Sequence, residues 1–209
     1  MLDVHFVYLG AAIGAIGQAG YVVDTIRGRT QPNRVTWLLW GIAPLLAFAV
    51  ETNASVGLRS LMTFMVGFGP LVVFAASFVN RSAVWELGPL DYVCGALSIG
   101  GTVGWLVTRQ GLVALAAAVA ADAIAGVPTL IKSWSRPESE SANIYLGSFA
   151  NAVITLLTVK HVSAAVVTFP LYIAVFAFVQ VALVGGKLGP RLRGGPRTDA
   201  SPVALDVEK

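Results

Sequence analysis

Asp122 has more chemistry to offer than any other residue in this chain. It lies in the run VAADAIAGVP, with no Lys or Arg within a helical turn on either side. An isolated acid in such surroundings is expected to carry a proton or to accept hydrogen bonds, and it could couple the movement of a solute to that of a proton. The plainer alternative is an acid that meets a hydroxyl of a neighbouring helix and serves packing. Gln18 and Asn151 are uncharged polar groups placed deep in apolar segments, where they could face a cavity. Asn143 lies nearer a segment end, as a cap or gate. Trp37 and Trp40 are three residues apart and therefore share a helix face. Their rings could stack on a sugar, a nucleoside or another planar ligand, or sit as a belt at the headgroup level, where tryptophan is enriched. Trp85 and Trp134 read as belt residues, and Trp105 lies deeper.

No enzymatic pattern accompanies these groups. His5 and His161 have no carboxylate partner at ligand spacing. GxSxG, HExxH and Walker patterns are missing. The single cysteine, Cys94, excludes an internal disulfide and most thiolate metal sites. The chain is therefore expected not to be an enzyme, and to need neither a metal nor a cofactor. A retinal protein would need a lysine inside the last span, and residues 163–184 contain none.

The elements that must position these residues follow from composition. The chain is 56% hydrophobic and 12% charged, with a mean hydropathy of +0.75, against about 25% charged in ordinary globular domains. Apolar runs of about 20 residues, the length needed to cross a bilayer as a helix, recur along it. Seven spans can be drawn: Val4–Val23, Val35–Val50, Val56–Val79, Pro89–Thr108, Leu112–Ile131, Ala142–Val159 and Ser163–Val184. The Gly-, Pro- and Arg-rich stretch 185–209 has no apolar period and is expected to be a disordered cytoplasmic tail.

Orientation follows from the basic residues. Arg27, Arg29, Arg34, Arg81, Lys132, Arg136, Lys187, Arg191, Arg193, Arg197 and Lys209 fall on one side, and Arg59, Arg109 and Lys160 on the other. By the positive-inside rule the N-terminus is outside and the C-terminus cytoplasmic. The first residues hold Asp3 and His5 but no basic n-region, so the first segment is expected to stay as a span. The basic loop Asp24–Arg34 could bind lipid phosphates or an anionic solute, although the topology alone predicts it. Glu138 and Glu140 could pair with Arg29 or Arg34 to close a cytoplasmic gate.

The pattern also repeats. Residues 21–44 resemble 127–149: Ile26 aligns with Ile131, Arg27 with Lys132, Pro32 with Pro137, and Thr36 with Ser141. PLVVFAASFVN (70–80) likewise resembles PLYIAVFAFVQ (170–180), and Gln18 falls roughly opposite Asp122. Two related units suggest a pseudo-symmetric bundle around a central site. Pro70, Pro128 and Pro170 lie within spans. There each removes a backbone hydrogen bond and kinks its helix, as a hinge would require. Gly10, Gly14 and Gly17 share one face of the first span and let another helix approach closely.

Pro128-Thr129-Leu130-Ile131-Lys132, followed by Trp134, a short polar loop and a Ser, resembles the PQ-loop pattern. That family includes the sugar-transporting SWEET proteins, their half-size bacterial relatives and lysosomal amino-acid exporters. This chain departs from it at Thr129, where the family has Gln, and at Val23-Asp24, in place of Pro-Gln. The resemblance implies an all-α polytopic membrane protein of seven transmembrane helices, arranged as two parallel three-helix repeats joined by a linking helix. Those units would be residues 1–80, 81–110 and 111–184. It further implies a small-solute transporter working by alternating access. The expected substrate is an uncharged or zwitterionic molecule, such as a sugar or amino acid. The substrate would meet Gln18, Trp37, Trp40, Asp122, Asn143 and Asn151. The alternative is a non-transporting receptor or assembly partner of the same fold. The expected setting is a prokaryotic plasma (inner) membrane. The expected partners are the lipid bilayer and a small-molecule substrate, with no nucleic acid; a homo-oligomer stays open.

Overall fold

The computed structural model describes residues 1–108 and 111–193, so Arg109, Arg197, Lys209 and most of the expected tail lie outside the described residues. The protein is all-α. Helices run Phe6–Ile26 (α1), Arg34–Asn53 (α2), Ser60–Ala76 (α3), Pro89–Thr108 (α4), Gly111–Ser135 (α5), Ala142–Leu157 (α6), Ala164–Val184 (α7) and Leu188–Leu192 (α8). Short 3-10 turns at Gly57–Arg59, Arg81–Ala83 and Pro137–Ser139 stand between them.

Among the described residues, five helical stretches are long and apolar enough to cross a membrane: Phe6–Ile26, Arg34–Asn53, Gly57–Ala76, Leu115–Ser135 and Ala164–Val184. This is the make-up of a helical membrane protein. Each of the seven expected spans holds a helix, but α4 and α6 are not among these five, and α6 has only 16 residues. The helix faces confirm an apolar exterior. On α7, Leu171, Val175 and Phe178 are exposed at spacings of four and three, whereas Phe169, Ile173, Ala177 and Gln180 are buried. A water-soluble helix would show the opposite division of polar and apolar residues.

Helix ends are set by local chemistry. At the end of α1 the Arg29 N–H bonds the Asp24 carbonyl at 2.8 Å and the Gly28 N–H bonds the Thr25 carbonyl at 3.0 Å. This Schellman closure needs a left-handed residue, and Gly28 supplies it at φ +73°. Asn33 then caps α2, accepting from the Thr36 N–H at 3.1 Å. The α4 start is closed by Asp91 in the third helical position, which accepts from the Gly88 N–H at 2.6 Å. The other Asp91 oxygen accepts from the Asn33 side chain, so the two caps tie α2 to α4.

α1 packs against α6 and α3; α2 against α3 and α5; α4 against α5 and α2; α7 against α6 and α5. The glycine stripe of α1 meets α6 as its spacing implies. A Cβ on Gly17 would come within 2.6 Å of the Asn143 carbonyl, and one on Gly10 within 2.7 Å of the Asn151 side chain. Gly147 returns the approach from α6, facing the Ile13 carbonyl and Gly14.

Candidate functional site

The structure brings Gln18, Trp37, Trp40, Asp122 and Pro70 to one cavity of about 50 Å³. Val66, Ile144, Tyr145, Ser148, Ile173, Phe176 and Ala177 complete its lining. Six helices contribute: α1, α2, α3, α5, α6 and α7.

Asp122 is 3% exposed. The Tyr172 hydroxyl donates to its Oδ2 at 2.7 Å, while its Oδ1 has no partner. The Trp40 indole N–H donates to the Asp122 backbone carbonyl at 3.1 Å. This bond fixes the ring on the α5 backbone and stands it edge-on to Trp37, 5.3 Å between centroids. Trp37 is 1% exposed, and its indole N–H has no partner. Among the lining residues, the Trp37 N–H and the Asp122 Oδ1 are buried without a partner, and the Ser148 hydroxyl stands beside them. The Gln18 amide donates to the Met65 carbonyl at 2.9 Å, packed so close to Gly69 that a Cβ there would overlap it. That carbonyl lies one residue before Val66, whose own carbonyl loses its helical partner to Pro70.

Both tryptophans thus differ from a headgroup belt. They pack with Tyr21, Val73, Ala125, Ile144, Tyr145 and Val184 in the core. Trp85 is half-buried, with the Lys132 and Arg136 cations each 5.4 Å from its ring. Trp134 is on the surface under Arg193. The Trp105 side chain lies outside the described residues.

Asn143 and Asn151 do not line the cavity. Asn143 is exposed, and its carbonyl receives Gly17. Asn151 is buried under Gly10 and Gly14, on the face of α6 turned to α1. Pro128 and Pro170 are buried inside α5 and α7, away from the lining. Pro44 adds a fourth intrahelical proline, in α2.

The expected acid–arginine gate takes another form. Glu140 pairs with Lys132, both buried, and its Oε2 accepts from the Tyr21 hydroxyl at 2.7 Å and the Tyr145 hydroxyl at 2.9 Å. Lys132 also donates to the Gln31 carbonyl at 2.5 Å. Glu138 is exposed. Arg29 lies 3.5 Å from Asp24, and Arg34 turns to Ser77. Arg29 is taken up by Asp24 at the end of α1 and Arg34 by the C-terminal end of α3, so neither reaches Glu138 or Glu140. Tyr145 belongs to both assemblies, its ring on the cavity and its hydroxyl on Glu140.

Sequence reasoning passed over several groups. Ser148 and Tyr145 line the cavity, and an i, i+3 reading of α6 from Tyr145 would have paired them. Glu51 is a second interior carboxylate: the Thr63 hydroxyl donates to its Oε1 at 3.0 Å and its Oε2 has no partner. Ending the second span at Val50 left it out. His5 does have a carboxylate beside it, Asp3 at 2.6 Å, on the exposed N-terminal segment. No cluster of three or more metal-ligating side chains occurs among the described residues. Comparison of the chain with protein-family models, with curated proteins and with solved structures gives no match.

Proposed function

We propose that the protein is a small-solute membrane transporter working by alternating access between two units, α1–α3 and α5–α7, with α4 as the link. The observation that carries this reading is the cavity: all six helices of the two units line it, and polar groups come from both, Gln18 and Trp37 from one and Asp122 and Ser148 from the other.

The packing order supports the same division. α3 packs with α1 and α2, and α7 with α5 and α6; across the units α1 meets α6 and α2 meets α5. Exchanging α1 for α5, α2 for α6 and α3 for α7 returns the same six pairs, as a parallel repeat would. The 3+1+3 arrangement, the PQ-loop resemblance and the cytoplasmic C-terminus belong to this proposal. The distribution of Lys and Arg supports that last point.

Indole, hydroxyl and amide groups with one acid oxygen, beside indole and phenol rings, suit an uncharged or zwitterionic solute with hydroxyl or amine groups. At about 50 Å³ the cavity has room for a few waters, far below the roughly 300 Å³ at which ligand pockets begin. In this scheme a solute enters only if the units rock apart. Pro70, at the cavity wall, and Pro170, in the corresponding helix, are the hinges in this scheme.

Proteoliposomes loaded against a panel of sugars and amino acids, with and without an imposed pH gradient, test the proposal. Uptake of at least one solute is expected, and Asp122→Asn should abolish its pH-driven part while the protein stays folded. Pro70→Ala and Pro170→Ala should slow exchange of labelled solute while leaving its binding intact. No uptake of any solute, together with no ligand-induced rise in thermal stability, would refute transport. The cavity's small size favours the second reading in that event, a non-transporting receptor or assembly partner.

A further inference from the structure

We propose that the corner where α3 turns into α4 binds the phosphate of an anionic phospholipid, held between Arg81 and Arg34. An open basin of about 680 Å³ lies there, lined by Arg34, Phe78, Arg81, Ser82, Trp85 and Glu86. A second basin adjoins it through Ser82, Trp85 and Glu86 and adds Gln31 and Arg136.

The two guanidinium groups differ in a way that makes a site. Arg34 is held in place: its Nε donates to the Ser77 hydroxyl at 3.1 Å and one Nη to the Ser77 carbonyl at 3.0 Å, with the group 4.1 Å above the Phe78 ring. Two of its five N–H groups are thereby used, leaving three for a ligand. Arg81 is exposed and has no hydrogen-bond or ion-pair partner among the described residues. One fixed and one free guanidinium form a fork for the oxygens of a phosphate.

The connection that carries them is pinned. The Asn80 amide donates to the Ile26 carbonyl at 3.1 Å, and its Oδ1 accepts from the Ser82 N–H at 3.1 Å and hydroxyl at 2.6 Å. The Trp85 N–H reaches the Pro32 carbonyl at 3.3 Å. The backbone that carries Arg81 and the Arg34 side chain are therefore in place before a ligand arrives.

Lipid rather than free phosphate is the occupant because of what borders the basin. Phe78 and Val79 are 55% and 70% exposed immediately before Asn80 and Arg81, so apolar surface runs directly into the cationic corner. Acyl chains would cover the first while the headgroup reaches the second. Glu86 stands on the same rim, a carboxylate that opposes an anion. Its sign makes it a diagnostic.

The test uses the full-length protein in a zwitterionic detergent, titrated with palmitoyl-oleoyl phosphatidylglycerol, the matching phosphatidylcholine, or glycerol phosphate, and follows the unfolding midpoint. Phosphatidylglycerol should raise the midpoint, and the other two should not. Arg81→Gln should weaken the apparent phosphatidylglycerol affinity about fivefold, the effect of one surface cation on an anionic lipid. Glu86→Gln should strengthen it, and Arg191→Gln, a charge removed on α8, should leave it unchanged. Equal losses in Arg81→Gln and Arg191→Gln would reduce the effect to general surface charge and overturn the site. Unaltered affinity in Arg81→Gln, or equal stabilisation by glycerol phosphate or phosphatidylcholine, would overturn it as well.

Discussion

Lys132 and Glu140 are the two charges this protein can least easily do without. The Lys132 side chain is 1% exposed and that of Glu140 is fully covered, so each has lost its hydration, at several kcal/mol per ion. The mutual attraction, two tyrosine hydroxyls and the Gln31 carbonyl offset that loss. The pair is accordingly worth little against an apolar pair of the same shape, yet removing one partner strands the other. Lys132→Met should lower stability by about 3–5 kcal/mol, and Lys132→Met with Glu140→Leu should recover most of it. Thermal unfolding of the four proteins of this cycle in detergent checks the coupling; simple addition of the two single losses would refute it. The sequence shows Lys132 as one more basic residue near a helix end, aligned with Arg27. Arg27 is exposed and Lys132 buried, a difference made by Glu140 and the tyrosines, which lie up to 119 positions apart in the chain.

At the scale of the helix, α1 gives the sharpest contrast between neighbouring glycines. Gly17 faces the Asn143 carbonyl, a backbone atom that cannot move aside, whereas a Cβ on Gly20 would meet nothing within 4 Å. Gly17→Ala should therefore destabilise the protein by about 1–3 kcal/mol through overpacking. Gly20→Ala should be neutral or stabilising by up to about 1 kcal/mol, the helix propensity difference. Denaturation of the two variants side by side decides it, and equal effects would show that α1 and α6 can part without strain. That the Gly10–Gly14–Gly17 face packs closely was legible, because spacing fixes which residues share a face. Which neighbour that face meets was not. For the same reason Asp122 and Asn151 look alike in sequence, each a polar group in an apolar helix. Asp122 lines the cavity, while Asn151 fills the seam under the glycines. The tryptophans show a related limit: Trp37 and Trp40 lie in the first two turns of α2, where a belt would be expected. Tyr21, Tyr145, Val184 and Phe176 pack around them and make that end interior.

Across the whole molecule, the division of polar and apolar residues was legible from hydropathy, and the helices stand within a few residues of the apolar runs. Helix lengths were less so: the third segment, expected over Val56–Val79, is α-helical only from Ser60 to Ala76, and the sixth stops at Leu157, two residues before the expected Val159. At about 1.5 Å per residue the 16 residues of α6 reach about 24 Å, against a hydrocarbon layer of about 30 Å. Leu146 and Leu157 near its two ends are both exposed, so this short rod meets acyl chains directly. Lipid beside it must compress by several ångströms, at a cost of fractions of a kcal/mol per ångström. The protein should consequently draw short-chain lipids to that flank and be most stable in a bilayer thinner than average. Unfolding midpoints in nanodiscs of graded acyl length would reveal this as a maximum at short chains. A maximum at ordinary thickness would mean that the membrane does not feel the deficit, and that α1, packed along α6, carries the full span on that side.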